Sequence, residues 1–485
     1  MSKPKKIAVL GGGLSSMTAI YSLLQDPDWK VKYDITVYQL GWRIGGKGAS
    51  GVNAKVGHRI EEHGLHLWMG FYENAFRMMR KVYEDCGRQK NAPLATFEQA
   101  FKPQPYMIFQ EHVGDSWIDW KMNFPPLPGK VGKGPLPSVE DLFKDVFDFF
   151  IKRLEEHIKE NEIKEKPGTH SFVDDHFGHF TQWLKDFIHK SEKKFEDEFV
   201  SKSVKLSKII LEALISVESH KQGHVNHIVE MIDKLKGIIW DLIGNLVQEN
   251  NFARRFWDLT DFGTAMLSGM IKDKVLIVKD NRLVLNFDII NDHDFCDWLI
   301  SHGSDPKYTS EYVYVKSMYD GPFAFINGNV NKANAEAGTM MRILLRMGFT
   351  CKENVVWRMQ AGMGDTIFAP IYEQLTEKYN VKFKFFQPAR NIILSEDKKS
   401  IDAIEIGNQI TLKEEDKYYP LIDSKGLQCW PSEPIYSYID DNEAKYLQEN
   451  NINLESAWAD WKDRSTYTIT KGKDFDEVII GASIA

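Results

Sequence analysis

Two glycine clusters near the N-terminus have the composition of a phosphate-binding site. Gly11 and Gly13 occupy the first two positions of a G-x-G-x-x-G spacing, and Ser16 stands at the third. A glycine turn between a strand and a helix lets a pyrophosphate approach the backbone, where the helix N-terminus supplies N–H groups and a positive dipole end. The small Ser16 keeps helix and sheet close but leaves the fingerprint imperfect. The pattern predicts a dinucleotide-binding turn, and a tight turn without a ligand is the alternative.

The second cluster, residues 41–48, reads Gly-Trp-Arg-Ile-Gly-Gly-Lys-Gly and follows the next predicted strand. Arg43 among these glycines supplies a fixed cation for phosphate oxygens, while the glycines keep bulk away from the backbone. The acid that usually grips the ribose hydroxyls at the end of this strand is replaced by Gln39, which can still donate and accept hydrogen bonds. Two phosphate-directed loops on one βαβ unit indicate an extended dinucleotide and favour FAD over NAD.

The elements around these clusters follow from the spacing of apolar residues. Residues 6–10 are a short apolar run, Leu14 to Leu24 carry apolar residues at helical spacing, and residues 34–38 alternate and are rich in β-branched types. The pattern predicts a strand, a helix and a second strand parallel to the first through a right-handed crossover.

The character of the chain changes twice after this unit. Proline-rich loops and long amphipathic patterns, the first capped at Ser138, predict helices after about residue 101. From residue 353 an α/β pattern returns, with strands at 381–386 and 403–406 that can extend the first sheet, and a last strand lies at 475–481. The predicted fold class is therefore α/β, a Rossmann-like FAD-binding domain with an inserted, mainly helical substrate domain. The predicted domains are 1–100 and 341–485 for FAD binding and 101–340 for the insertion.

Composition excludes several classes of protein. The 485 residues carry a net charge of −8, so no basic stripe favours nucleic acid as a partner. Four widely spaced cysteines give no disulfide framework. The N-terminus has only four apolar residues before its glycines, too few for a signal peptide, which predicts a cytoplasmic location. No apolar window is long enough to span a membrane, while peripheral contact stays open.

With these motifs the sequence resembles the FAD-dependent amine oxidase and carotene (phytoene) desaturase superfamily. The spacing from Gly11 through Gln39 to the Arg-x-Gly-Gly run at 43–46 matches its glycine fingerprint and R-x-G-G loop. Residues 59–74 resemble the desaturase pattern E-x-G-x-H, followed by an aromatic residue, a glycine and Y-x-N. The block Ala-Gly-Met-Gly-Asp-Thr at 361–366 is similar to one in a bacterial group of FAD/NAD(P)-binding oxidoreductases.

The resemblance implies positions for the cofactor. It places the backbone of Ala389 at the adenine, and His63 and His66 in a loop that faces the flavin or covers its phosphates, where a hydrogen-bonded structural role is the alternative. The predicted cofactor-binding residues are Gly11, Gly13, Leu14, Ser15, Ser16, Gln39, Leu40, Arg43, Gly45, Gly46, Lys47 and Ala389.

The chemistry implied is hydride transfer from a substrate C–H bond to flavin N5, which needs no nucleophile. The substrate would be an apolar chain, as in desaturases, or an amine. Histidines at 220, 224 and 227 have metal-like spacing, but Gly223 interrupts their helix and no cysteine or clear carboxylate is near. The histidines at 176 and 179 are interpreted as surface residues, so no metal is predicted. Relatives continue beyond the strand at 475–481, which suggests a fragment, a second chain that completes the flavin pocket, or a scaffold subunit that has lost catalysis.

Overall fold

The computed structural model describes residues 3–64, 66–113, 115–123, 127–134, 251–279, 282–309, 312–414 and 417–482, with scattered positions between 229 and 247. Contacts divide the chain into two compact units. Unit 1 comprises Met1–Trp68, Tyr72–Pro103 and Trp357–Ala485, and unit 2 comprises Met69–Phe71 and Gln104–Val356. The predicted substrate-binding role of the middle region stays a prediction.

The strands, in chain order, are β1 Lys5–Leu10, β2 Tyr33–Tyr38, β3 Ser50–Asn53, β4 Arg59–Glu62, β5 Trp68–Met69, β6 Phe101–Gln104, β7 Tyr106–Val113, β8 Ser116–Asn123, β9 Leu276–Lys279, β10 Arg282–Leu285, β11 Val356–Met359, β12 Lys382–Lys384, β13 Ala389–Leu394, β14 Ile401–Asn408, β15 Ile422–Ser424, β16 Leu427–Cys429, β17 Ser465–Thr470 and β18 Glu477–Ile480.

The helices are α1 Leu14–Leu23, α2 Trp29–Lys32, α3 Glu73–Cys86, α4 Phe97–Ala100, α5 Asn251–Lys272, α6 Phe295–Ser301, α7 Pro306–Thr309, α8 Val313–Asp320, α9 Ala337–Phe349, α10 and α11 Asp441–Glu449. Helix α10 runs through three consecutive stretches, Gly364–Phe368, Ala369–Glu373 and Gln374–Lys378, of which the first and last have the wider π-helical turn.

A parallel sheet organises unit 1. Its strand order is β12-β2-β1-β18, and each neighbouring pair is parallel. Val9 faces Val37 on one side and Ile479 on the other, and both valines are fully buried, as expected for strands covered on both faces. The predicted parallel pairing of the first two strands and the α/β fold class are thereby confirmed. The predicted strand at the end of the chain also joins this sheet, as β18.

The strand predicted at 403–406 forms, but in a different sheet. It lies within β14, which pairs antiparallel with β13 and β17. A short connection at 395–400 joins β13 to β14, and short connections allow only antiparallel neighbours. The three-stranded sheet buries Ile404, Ile406 and Ile469 against Ala8 and other residues of the parallel sheet. The expectation that this strand extends the first sheet was wrong for that reason.

Helix α1 follows the predicted spacing closely. Met17, Ile20 and Tyr21 are buried on one face, whereas Leu14 at its start is 46% exposed. The i, i+3, i+4 repeat therefore directs one stripe of the helix into the core. Because α1 begins directly after the glycine turn, this packing fixes the position of its N-terminus.

Unit 2 has its own hydrophobic core, in which Phe295, Trp298 and Met341 are fully or almost fully buried. The described part contains helices α5 to α9 but also two antiparallel hairpins, β7–β8 and β9–β10. The hairpins were not predicted, although the Gly-Asp dipeptide at 114–115 is a typical two-residue hairpin loop. Most of the predicted helices, including the one capped at Ser138, lie outside the described residues.

No helix within the described ranges is long and apolar enough to cross a membrane. The four cysteines are all unpaired. In the same described ranges, no three acidic, histidine or cysteine side chains gather into a group that could hold a metal ion. The histidines at 176, 179, 220, 224 and 227 lie outside those ranges.

Candidate dinucleotide site

The first glycine turn closes the carboxyl end of β1. Gly11 has φ of +93°, a conformation that favours glycine, and its N–H donates to the carbonyl of Tyr38 at 2.9 Å. A Cβ on Gly12 would lie 2.6 Å from Cγ2 of Ile44, so the turn has no room for a side chain. The Ser16 hydroxyl donates to the Gly11 carbonyl at 2.6 Å. The serine at the third motif position therefore braces the turn rather than loosening it.

Helix α1 presents its N-terminus at this turn. Gly13 is the N-cap residue, and no described side chain caps the helix with a hydrogen bond. Leu14 and Ser15 are exposed, so the backbone of the first turn lies at the surface. An uncapped helix start directly after a buried parallel strand offers N–H groups and a positive dipole end to an anion.

The second glycine turn lies against the first through backbone contacts and through the side chain of Ile44. The Gly45 N–H donates to the Gly12 carbonyl at 2.9 Å, and Gly45 forms a parallel bridge with Gly13. Gly45 has φ of +128°, and its Cβ would lie 2.8 Å from the backbone of Ala49. Gly46 begins a short 3-10 turn that carries the exposed side chain of Lys47. The two motifs, separated in sequence by β2, thus form one backbone surface.

Gln39 holds the first turn to the end of β2. Its Oε1 accepts the Gly12 N–H at 2.6 Å, and its Nε2 donates to the carbonyl of Leu40 at 2.8 Å. The side chain is almost fully buried. A carboxylate here would place an oxygen against the Leu40 carbonyl, which gives a physical reason for the amide. A ribose contact of Gln39 stays a prediction, because both ends of its amide already have protein partners.

Arg43 has a protein partner that the sequence did not reveal. Its Nε and Nη2 donate to the carboxylate of Glu455 at 2.9 and 2.8 Å, and the guanidinium is 8% exposed. Within the described part of the chain, its Nη1 is buried without a hydrogen-bond partner. Gly41 allows this approach, since a Cβ there would lie 2.5 Å from Cγ of Glu455. The predicted phosphate contact of Arg43 stays a prediction, and Nη1 is itself buried, since a Cβ on Gly51 would lie 2.5 Å from it.

The two predicted loop histidines differ in their surroundings. His66 Nδ1 lies 3.0 Å from Oε2 of Glu62, whose other oxygen accepts the N–H of Met363. The Met363 side chain packs at the second glycine turn, because a Cβ on Gly48 would lie 2.9 Å from its Cε. His63 is exposed on the same loop. The structure thus brings His66 and Glu62 together beside the glycine turns.

Asp365 is a buried acid to which the sequence assigned no role. It is 1% exposed in the first turn of α10, and burial raises its pKa to about 6, although the N–H of Trp430 and the thiol of Cys429 act in the opposite direction. Oδ1 accepts the Trp430 N–H at 3.0 Å, and Oδ2 has no hydrogen-bond partner among the described residues. The sequence signal that could have revealed this acid is a charged residue in the glycine-rich start of an apolar helix.

Ala389 begins β13 and faces Ile406 across the antiparallel sheet. It is half-buried. Its backbone joins the ladder at the first position of the strand, and the pairing register shifts between Ala389 and Asn391. The adenine contact implied by the resemblance stays a prediction.

Comparison with known proteins agrees with the local fold. Residues 9–82 match the model of the NAD(P)-binding Rossmann-like domain. Zeta-carotene desaturases of Capsicum annuum and Arabidopsis thaliana are 38% and 36% identical over 86 residues. These matches cover 18% of this chain and only 13% of the length of each relative. Similarity to the desaturases is thus limited to the segment that carries the glycine turns.

Proposed function

We propose that this chain is an FAD-dependent oxidoreductase that removes a hydride from a substrate C–H bond. The proposal starts from its NAD(P)-binding Rossmann-like domain at residues 9–82. The observation that carries it is the backbone bridge between Gly13 and Gly45, which joins two glycine turns at the start of α1. A turn that served only to reverse the chain would need no second glycine turn packed against it.

The residues present fit an extended dinucleotide. The exposed first turn of α1 and the glycine backbone at 11–13 and 45–46 would hold the pyrophosphate, with Lys47 as an exposed cation beside them. FAD, when bound, supplies N5 as the acceptor of the hydride. The protein's part is to position the substrate C–H bond and to exclude water. Ser16 and Gln39 contribute by fixing the turn on which the phosphates would rest.

The substrate class is either an apolar chain or an amine. The relatives are named as carotene desaturases, and this favours dehydrogenation of an apolar polyene. The similarity covers a cofactor-binding segment and not a substrate site, so amine oxidation remains the second reaction to test.

A second candidate, a binding or scaffold subunit without catalysis, is favoured by one specific observation. Gln39 and Arg43, two of the predicted side-chain ligands of the dinucleotide, are engaged by the protein itself. A chain that had lost its cofactor could retain these contacts because they stabilise the fold.

The deciding experiment is the absorption spectrum of the purified chain after incubation with FAD. Flavin bands near roughly 370 and 450 nm that remain after gel filtration are expected. Gly45→Val should abolish them, because its Cβ would collide with the Ala49 backbone and its φ is positive. Gly57→Ala, which also has a positive φ but open space around it, is the matched control and should retain the bands. A colourless wild-type chain would favour the scaffold alternative.

Anaerobic bleaching of the flavin then identifies the reaction. Zeta-carotene in detergent micelles and benzylamine are the two probes. Bleaching by the polyene supports dehydrogenation, and bleaching by the amine supports amine oxidation. Failure of both probes to bleach an FAD-loaded chain contradicts the proposed reaction.

A further inference from the structure

Glu62 and His66 form a carboxylate–imidazole pair whose carboxylate is fixed at both oxygens. Oε1 accepts the backbone N–H of Met363, and Oε2 lies 3.0 Å from Nδ1 of His66. The backbone of Glu62 is itself held in the β3–β4 hairpin, opposite Ser50. The two side chains are only 24% and 16% exposed. The pair lies at the surface, and two protein contacts hold the Glu62 carboxylate in place.

This arrangement decides which imidazole nitrogen carries the proton. A carboxylate with one oxygen at Nδ1 can only accept a hydrogen bond, so Nδ1 must be the donor in the neutral ring. Nε2 is then left with a free lone pair and can accept a proton. An orienting carboxylate also stabilises the imidazolium that forms when Nε2 is protonated. The geometry is that of a general base with its orienting group.

The pair lies next to the glycine turns of the same unit. Met363, whose N–H fixes Glu62, packs its side chain at Gly48, and the adjacent Gly364 donates its N–H to the Ser50 hydroxyl at 2.7 Å. A continuous series of contacts therefore runs from the second glycine turn to His66. Among the described histidines, His58 instead contacts a hydroxyl, Ser424, at 2.9 Å.

We propose that His66 Nε2 is the proton acceptor of the dehydrogenation, and this inference rests on the proposed function. Removing two hydrogens from adjacent carbons breaks two C–H bonds. One hydrogen leaves as hydride to the flavin, which is the oxidant and takes up two electrons. The other leaves as a proton to His66 Nε2, and its bonding electron pair becomes the new double bond. Glu62 is the positioning residue, and water takes the proton from the imidazolium afterwards.

The first test measures the tautomer of His66 and does not depend on activity. Nitrogen-15 NMR of the histidine-labelled chain, with the signal assigned by its absence in His66→Gln, should show Nδ1 protonated and Nε2 unprotonated. In Glu62→Gln the amide can still accept the Met363 N–H while its Nε2 donates to His66 Nδ1, so the tautomer should reverse. A wild-type ring protonated at Nε2, or a tautomer unchanged in Glu62→Gln, overturns the inference.

The second test uses the FAD-loaded chain and zeta-carotene. A chain that is bleached only by benzylamine overturns the inference, because amine oxidation breaks an N–H bond and not a second C–H bond. His66→Gln should keep the flavin spectrum but bleach about 10²–10⁴-fold more slowly, the usual contribution of a general base. The control His58→Asn, whose left-handed backbone suits asparagine, should bleach at the wild-type rate. A His66→Gln chain that binds FAD and bleaches normally contradicts the inference alone. A wild-type chain that takes up no FAD contradicts the proposed function, and the inference is lost with it.

Discussion

The glycine turns of unit 1 and the polar groups around α5 of unit 2 differ in which polar groups they contain. The turns present backbone N–H and C=O groups with almost no side chains. In unit 2, by contrast, two acids lie inside the protein: Asp258 is 5% exposed and Asp261 is 1% exposed. Asp261 has Lys236 as an ionic partner and accepts from the Asp305 N–H, whereas burial raises the pKa of Asp258 to about 8 despite nearby Arg254.

The two units differ in what stabilises a charge. Backbone dipoles are fixed by the fold, so a turn can receive an anionic ligand without burying a charge of its own. A side-chain acid in the interior must find a partner or retain its proton. We therefore expect substitutions in unit 1 to act mainly on ligand binding and on paired charges, and substitutions of the unit 2 acids to act on stability through pH.

The largest effect is expected for Asp258→Asn. The folded-state pKa of Asp258 is raised above its usual value near 3.8, so its contribution favours the folded state at low pH and is lost as pH rises towards about 8. Asparagine removes that loss and should stabilise the chain by up to about 5 kcal/mol at alkaline pH. Thermal unfolding between about pH 5 and 9 measures it. Asp288→Asn, which removes an exposed carboxylate paired with Arg342, should change stability by less than about 1 kcal/mol.

Arg43→Gln tests the buried ion pair of unit 1. The carboxylate of Glu455, 18% exposed, would lose its bidentate partner, and breaking such a pair costs about 3–5 kcal/mol. Arg342→Gln removes the partner of Asp288, a carboxylate that is 74% exposed, and should cost no more than about 1 kcal/mol. Chemical denaturation of both variants measures the two losses of unfolding free energy. Equal costs would show that burial does not distinguish the two pairs.

Asp365→Asn sharpens the comparison between the buried acids. Burial raises the pKa of Asp365 to about 6, so its stability contribution is lost between about pH 4 and 6 and is constant above. Asparagine should therefore stabilise the chain by up to about 3 kcal/mol at neutral pH, with no further gain at alkaline pH. The stabilisation by Asp258→Asn should instead continue to increase from neutral to alkaline pH. Identical pH profiles for the two variants would contradict the difference between the pKa values of Asp365 and Asp258.

The smallest effect is expected for Gln39→Glu. It replaces the amide that donates to the Leu40 carbonyl by an oxygen, and the lost bond and repulsion should cost about 1–3 kcal/mol. Gln387→Glu is the control, because the side-chain Oε1 of Gln387 accepts from the Tyr467 hydroxyl and a carboxylate oxygen can do the same. Differential scanning calorimetry compares the two. A Gln39→Glu chain as stable as wild type would mean that the amide donor is dispensable.

Much of the local structure around the glycine turns could be predicted. The spacing from Leu14 to Leu24 predicted α1, the alternation at 34–38 predicted β2, and both follow from which faces must be buried. The two hairpins of unit 2 were missed because the apolar residues of β7 do not alternate strictly with polar ones. The assignment of β14 to a second sheet was missed because strand pairing depends on the connection and not on the strand alone.

The sequence by itself determined where backbone had to come close to backbone. Only glycine readily adopts the conformations of Gly11 and Gly45, and the βαβ periodicity fixed which elements they join. The tertiary structure alone decided which side chains complete the site. Glu455 reaches Arg43 across 412 residues, and Met363 reaches Glu62 across 301. Such pairs leave no periodic signal in the sequence, because they arise only when separately folded segments pack together.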